Sequence, residues 1–338
     1  MRMVKRLLVG LGILLLLAIA VVTVSVLLAF DWDRTHRNET ANLPFYETGM
    51  QDGLYQVEAK GLIFRARIYG SANEGAGVIM LHGHPETSLM WDHLATAVAE
   101  QGYKVIAFDQ RGYSPGARPE GVAAYRADNQ ISDVLAIADI MGFEQFHLVG
   151  HDWGAVIAWS TAILHPERLK SLTAMSIPHP LSLKKMVAED TPAYINLFSL
   201  PWLPEAALLF NGMAGYRDTY SEQSDEEIDE YIAVLSEPGA STATLNWYRG
   251  IQDSLLLIDS DGPIICMPTM FIYGDQEFWV TPEYLKSQRA LIGGKYMELE
   301  LKAGHWLVQK HPQVVASNVI DHLGKSADPV SGKRAPGC

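Results

Sequence analysis

The sequence predicts an α/β protein: a mostly parallel sheet with helices on both faces, an inserted helical lid, and one N-terminal transmembrane helix. Three observations carry that expectation. From about residue 61, short apolar runs alternate with amphipathic helical patterns. The stretch 181–252 breaks the alternation and shows no strand pattern. Residues 7–30 are apolar, uncharged and free of proline. The segments read as an anchor (1–30), a polar linker (31–52), a first core part (53–180), the lid (181–252), a second core part (253–325) and a tail (326–338).

The first element is the apolar run. As a helix it spans about 36 Å at roughly 1.5 Å per residue, enough for a hydrocarbon core of about 30 Å. Arg2, Lys5 and Arg6 precede it, which favours a cytoplasmic N-terminus and a following domain on the periplasmic, extracellular or lumenal side. A cleaved signal peptide is the alternative, but the run is long and ends LLAFDW, without a small-x-small cleavage site. Asn38-Glu39-Thr40 is a glycosylation sequon just beyond.

Next come the strands. GLIFRARIYG (61–70) alternates as a half-buried strand. GVIMLHG (77–83), KVIAFD (104–109), QFHLVG (145–150), LTAMSI (172–177) and PTMFIYG (268–274) are continuous apolar runs, as strands buried on both faces require. Between them, residues 125–142 place Ile131, Val134, Leu135, Ala138 and Met141 on one helical face, with Gly142 as the stop. Residues 154–164 and 307–323 are similar. The lid stretch is helical with proline breaks and an acidic run, SEQSDEEIDEY. Ligands of open α/β sheets bind outside the carboxyl ends of the strands, where such a lid would exclude water.

Composition excludes other classes. The 338 residues are 48% apolar and 19% charged, so a large core forms and disorder, collagen and a disulfide-stapled miniprotein are ruled out. Net charge is −13 with no Lys/Arg-rich stretch, which argues against nucleic acid as a partner. Two cysteines, Cys266 and Cys338, provide neither a disulfide framework nor a four-cysteine zinc site.

Two stretches compete as nucleophile turn. Gly112-Tyr113-Ser114-Pro115-Gly116 matches the serine hydrolase pattern G-x-S-x-G, but QRGY separates it from the strand and PGARPEG follows, so a loop is expected there. Gly150-His151-Asp152-Trp153-Gly154 has a strand directly before it and the helical pattern AVIAWSTAILH directly after. Its apex residue is Asp152. A carboxylate at a helix N-terminus is held ionised by the dipole and the free N–H groups, as an anionic nucleophile needs. By itself Asp152 could equally be a helix cap.

With its partners the sequence resembles the α/β-hydrolases of the epoxide hydrolase and haloalkane dehalogenase type over roughly residues 55–325. The matching pieces are HGHP (82–85), DQRGYSPGARP (109–119), GHDWGA (150–155), NWYRG (246–250), YGDQE (273–277) and GHW (304–306). The resemblance implies Asp152 as nucleophile, His305 as general base and Glu277 as the acid that orients it, with Asp275 as the alternative. Most relatives have Asp where this chain has Glu277. It implies an oxyanion hole from the backbone N–H groups of His84 and Trp153. His82-x-His84 resembles a metal pair, but no further ligand stands at a useful spacing, so neither metal nor cofactor is expected.

An aspartate nucleophile can displace at saturated carbon, forming an alkyl ester that a His-activated water then hydrolyses. That route serves epoxides or alkyl halides. Tyr248 in NWYRG matches the lid tyrosine that protonates an epoxide oxygen. Relatives carry a second tyrosine where this chain has Leu197; Tyr194, one helical turn earlier, is the candidate second proton donor. Dehalogenases often have Asn at the position of His84. Trp153 and Ala155 are uncharged, which disfavours a small carboxylate substrate. Phe198, Trp202, Phe210, Trp247 and Tyr248 are expected to give the lid an apolar inner surface. The resulting expectation is hydrolysis of apolar epoxides, with water and a small apolar substrate as partners and residues 7–30 in a membrane. The alternatives are a haloalkane dehalogenase with the same triad and a non-catalytic binding protein on this scaffold.

Overall fold

The computed structural model describes residues 2–35, 43–189, 191–258 and 265–326. Eight strands form one sheet: β1 (Gly53–Ala59), β2 (Leu62–Tyr69), β3 (Gly77–Leu81), β4 (Lys104–Phe108), β5 (Phe146–His151), β6 (Leu169–Met175), β7 (Thr269–Gly274) and β8 (Tyr296–Leu301). Their spatial order is β1-β2-β4-β3-β5-β6-β7-β8. β1 and β2 pair antiparallel, as do β2 and β4. From β4 to β8 every pairing is parallel. The apolar runs became the central strands: β3, β5 and β7 are buried along their whole length.

The helices in chain order are α1 (Arg2–Thr35), α2 (Asp92–Ala99), α3 (Ala127–Ile140), α4 (Trp153–Leu164), α5 (Pro180–Glu189), α6 (Ala193–Phe198), α7 (Leu203–Arg217), α8 (Asp225–Leu235), α9 (Ala240–Arg249), α10 (Ile251–Leu255), α11 (Pro282–Arg289), α12 (Leu307–Lys310) and α13 (Pro312–Ser326). The connection β3–α2–β4 runs toward one edge and β4–α3–β5 runs back past β3. With right-handed crossovers these helices fall on opposite faces. Accordingly α2 packs on α13, and α3 packs on α4. Helices α5 to α10 are inserted between β6 and β7, with no strand among the described residues there.

Three readings change. The expected membrane anchor is corrected. Residues 7–30 lie within α1. Among the described residues no helix is long and apolar enough to cross a membrane. The single-pass placement with a cytoplasmic N-terminus, and the membrane as a partner, fall with it. α1 instead lies against α7.

The helical pattern at 307–323 is two helices, because Pro312 lacks an N–H and disfavours helical backbone at His311 before it. β1 was not foreseen. It is an edge strand, and its polar, partly exposed side chains hide its alternation. The sequon at Asn38, Cys338 and the tail from 327 onward lie outside the described residues. Cys266 is disulfide-bonded.

Candidate active site

Strand order fixes where the site can be. The connection leaving β3 goes one way along the sheet and the connection leaving β5 goes the other, so a crevice opens between their carboxyl ends. Leu81 and Gly150 are register partners there, which brings the loop after β3 beside the turn after β5. Asp152 stands at that turn with φ 53° and ψ −123°, a left-handed conformation that costs an ordinary residue on the order of 1–3 kcal/mol. Two glycines make the turn possible. A Cβ on Gly154 would lie 2.0 Å from the Leu81 carbonyl oxygen, and one on Gly83 would lie 2.4 Å from Asp152 Oδ1. The backbones must touch for the carboxylate to reach the crevice.

The carboxylate is held from two sides. The His84 backbone N–H donates to Asp152 Oδ1 at 2.8 Å. His305 Nε2 stands 3.4 Å from Oδ2. On its other side, His305 Nδ1 is 2.7 Å from Glu277 Oε2. Glu277 Oε1 accepts from the Trp279 N–H at 3.3 Å. Asp275 is exposed on the same loop and does not reach His305, so the acid next to the imidazole is Glu277. Trp153 is the first residue of α4, where its N–H has no partner within the helix.

Electrostatics follow from this nesting. Burial works against the charged imidazole, yet Glu277 and Asp152 together hold His305 well above its ordinary value. Burial would raise Asp152, but its hydrogen bond to His305 and that residue's charge bring it below the usual carboxylate range. Glu277 is lowered in the same way, against burial, by the His305 charge and hydrogen bond. The arrangement favours an imidazolium between two carboxylates.

The pair read as an imitation of a metal site is structural. His82 is fully buried; its Nε2 accepts from the Gln110 N–H at 3.0 Å and its Nδ1 lies 2.8 Å from Gly83 O. His84 Nδ1 lies 2.8 Å from the Tyr113 hydroxyl, and burial pushes the ring's pKa down to about 4. Among the described residues no cluster of His, Cys, Asp and Glu could hold a metal. Ser114 is fully buried as well: its hydroxyl donates to Asp109 O at 2.5 Å and accepts from Arg65 N–H at 2.9 Å. It staples a loop.

A cavity of about 350 Å³ lies over Asp152 and His305, walled by Tyr194, Phe198, Tyr248 and Trp279 among others. Tyr248, on α9, is buried against Trp153, with ring centres 5.1 Å apart. Burial and the Asp152 charge hold the Tyr248 phenol well above its ordinary pKa, so it keeps its proton. Tyr194, on α6, faces the same space 6.1 Å from Tyr248, and burial raises it too. Leu197 does not line the cavity and is 36% exposed. The expected apolar inner surface is only partly there. Phe198 and Tyr248 line it, but Trp202 is 67% and Phe210 51% exposed. Trp202 sits in left-handed backbone before α7 and Phe210 at the kink within it, so both turn away. Trp247 is buried beneath, donating its indole N–H to Arg111 O at 2.9 Å.

Comparison with known proteins matches this geometry to a family. Residues 78–211 match the model of the alpha/beta hydrolase fold. The chain is 32% identical to Epoxide hydrolase A of Mycobacterium tuberculosis, over 79% of this chain and 96% of that protein. It is 30% identical to the AB hydrolase superfamily protein YfhM of Bacillus subtilis, again over 79% and 96%. The crystal structure of Epoxide Hydrolase A from Mycobacterium thermoresistibile superposes with a TM-score of 0.69 at 29% identity, covering 81% of this chain and 98% of that one. The chain belongs to the epoxide hydrolase-like alpha/beta hydrolases.

Within this alpha/beta hydrolase the sequence reading missed a buried network beneath the His305 loop. His151 Nε2 lies 2.9 Å from the His305 carbonyl oxygen, and its Nδ1 lies 3.1 Å from Glu86 Oε2. Gln309 Nε2 donates to Glu86 Oε1 at 2.6 Å. The Ser176 hydroxyl adds a second donor to the His305 carbonyl at 3.0 Å. Three segments thus fix the backbone that carries His305. The signal available was adjacency: Glu86 directly follows HGHP, and His151 directly precedes Asp152.

Proposed function

We propose that this chain hydrolyses apolar epoxides to vicinal diols through an ester on Asp152. The observation that carries the reading is Asp152 with its two oxygens in different surroundings, facing a cavity that Tyr194 and Tyr248 also line. Oδ1 is engaged by the His84 N–H. Oδ2 is the attacking atom. It forms a bond to one epoxide carbon while that carbon's bond to oxygen breaks, and the released oxygen takes the phenolic proton of Tyr248, with Tyr194 as the second donor.

The ester removes one of the two charges that kept His305 protonated. Its pKa falls, its proton passes to the Tyr248 phenolate left by ring opening, and the neutral imidazole is then able to accept a proton from water. The resulting hydroxide adds to Asp152 Cγ. The negative charge develops on Oδ1, where the His84 and Trp153 N–H groups receive it. Collapse expels the diol with the former Oδ2, the departing oxygen taking the proton of the added hydroxyl, and returns a carboxylate containing the water's oxygen, a protonated His305 and a phenol at Tyr248, as at the start. Glu277 holds the imidazole in orientation and balances its charge.

Isotope placement tests the route. With enzyme in excess over an apolar epoxide in ¹⁸O-water, the first diol formed is unlabelled and the label appears in Asp152. Diol labelled in that first turnover would mean direct attack by water and would sink the ester. No diol from any apolar epoxide would sink the reaction itself.

Tyr248→Phe is expected to slow ring opening by about 10- to 100-fold, the contribution of one positioned acid with a second still present. Rapid-quench measurement of ester formation reads this directly. An equal slowing with an alkyl halide, which needs no proton, would remove Tyr248 from the donor's role.

A further inference from the structure

The space around Asp152 is divided unequally. On one side is the cavity of about 350 Å³, continued by Phe198, Leu208, Tyr216, Thr219 and Trp306. On the other is a recess of about 20 Å³ walled by Val156, Ile177, Leu183, Ile195 and Ile251. Asp152, Tyr194, Tyr248 and Trp279 belong to both. The nucleophile and both phenols therefore stand at the junction. The recess holds roughly one water or one methyl group. It also cannot yield easily. Its five apolar walls come from α4, the loop after β6, α5, α6 and α10, and each is at most 6% exposed, so every one is backed by core.

We infer that the substrates are terminal epoxides: one ring carbon bears a large apolar substituent, and the other bears only hydrogens. This rests on the epoxide reading above and narrows it. The two carbons of an epoxide are directly bonded. When the ring lies at the junction with its oxygen toward the tyrosines, the substituents of the two carbons point apart. The large arm accepts a chain or an aromatic group. The recess accepts hydrogen or at most methyl, and a longer group there would overlap Leu183 and Ile177. Apart from the residues at the junction, Trp153 is the one recess-lining side chain with a polar atom, and the other five are aliphatic.

Isomers separate this from simple hydrophobicity. 1,2-Epoxydecane and trans-5,6-epoxydecane have the same formula and differ only in where the ring sits. For the unmodified protein, kcat/KM for the terminal isomer is expected to exceed that for the internal one by at least tenfold, the discrimination a tight apolar pocket achieves against one or more added methylenes. Leu183→Ala and, separately, Ile195→Ala enlarge the recess from different helices. Each should reduce that ratio by tenfold or more, the gain coming from the internal isomer. Turnover of the internal isomer by the unmodified protein within threefold of the terminal one overturns the inference while leaving epoxide hydrolysis in place. A preference that survives both enlargements overturns the recess as its cause. Turnover of neither isomer by folded protein overturns the epoxide reading, and this inference with it.

Discussion

Asp152→Asn is expected to abolish turnover, lowering kcat by on the order of 10⁴- to 10⁶-fold, as loss of a covalent nucleophile does elsewhere. Asn is the informative replacement for a backbone reason. Position 152 has φ 53°, and after glycine the residues that best tolerate positive φ are Asn and Asp. Ala there would add strain to the chemical loss. The amide also keeps an oxygen for the His84 N–H. The measurements are initial rate on an apolar epoxide and melting temperature of both forms. A stability difference is expected only where the native ion pair exists. Asp152 is lowered and His305 raised, so the pair contributes above the ordinary carboxylate pKa of about 4 and is lost as pH rises through the raised pKa of His305. Activity that grows over hours, with a mass shift from amide to acid, reports deamidation beside the base. Undiminished initial turnover would remove Asp152 from the mechanism. Equal ligand affinity with no turnover by either form would return the chain to a binding role.

The parts of this site that were legible are those whose residue types are forced locally. The turn at Asp152 must pack against Leu81 and Gly83, so small residues at 150 and 154 and a strand–turn–helix context had to appear within a few positions. The same context rejected Ser114, whose hydroxyl proves to be spent on Asp109 and Arg65. Glu277 and His305 were legible by position after β7 and β8 once the family pattern was recognised. What stayed hidden depends on pairing between distant segments. Arg65, in a strand that alternates like a half-solvated one, is 3% exposed because Asp109 and Glu230 neutralise it. The Arg65 bonds to Asp109 at 2.5 Å and to Glu230 at 2.7 Å tie β2, the loop after β4 and α8 together. Burial opposes the charge on Asp109, but Arg65 and Arg67 bring its pKa down to about 2. No local pattern announces such a clasp. The directions of Trp202 and Phe210 were hidden for another reason: a left-handed residue before α7 and a kink inside it rotate the face that an uninterrupted helix would have presented. Tyr194 could be nominated by helical spacing from Leu197, but only the fold shows it in the cavity and Leu197 outside it.

His305→Gln separates the two halves of the reaction. Ring opening needs Asp152 ionised and a phenol protonated, and the one proton transferred is not carried by His305. The variant should still form the ester, somewhat more slowly, because Asp152 loses the partner that lowers its pKa. Ester hydrolysis needs a base 3.4 Å from Oδ2 to activate water, and its loss costs on the order of 10²- to 10⁴-fold. A second step slowed more than the first makes the ester accumulate. Intact mass should therefore rise by one whole epoxide, and peptide mapping should place the gain on Asp152. The mass distinguishes chemistries without further assay. An epoxide adds all its atoms because its leaving group stays tethered, whereas an alkyl halide adds its mass less HX. A gain of the second kind alone would move the chain to dehalogenase chemistry with the same three residues. No gain from either, in folded protein, would mean that Asp152 does not attack carbon. The buried Glu86–His151–Gln309 network makes this variant a fair test, since it holds the backbone at 305 through the carbonyl oxygen and not through the imidazole. The loop should keep its place when the side chain changes, so the stalled ester would report lost base and not lost structure.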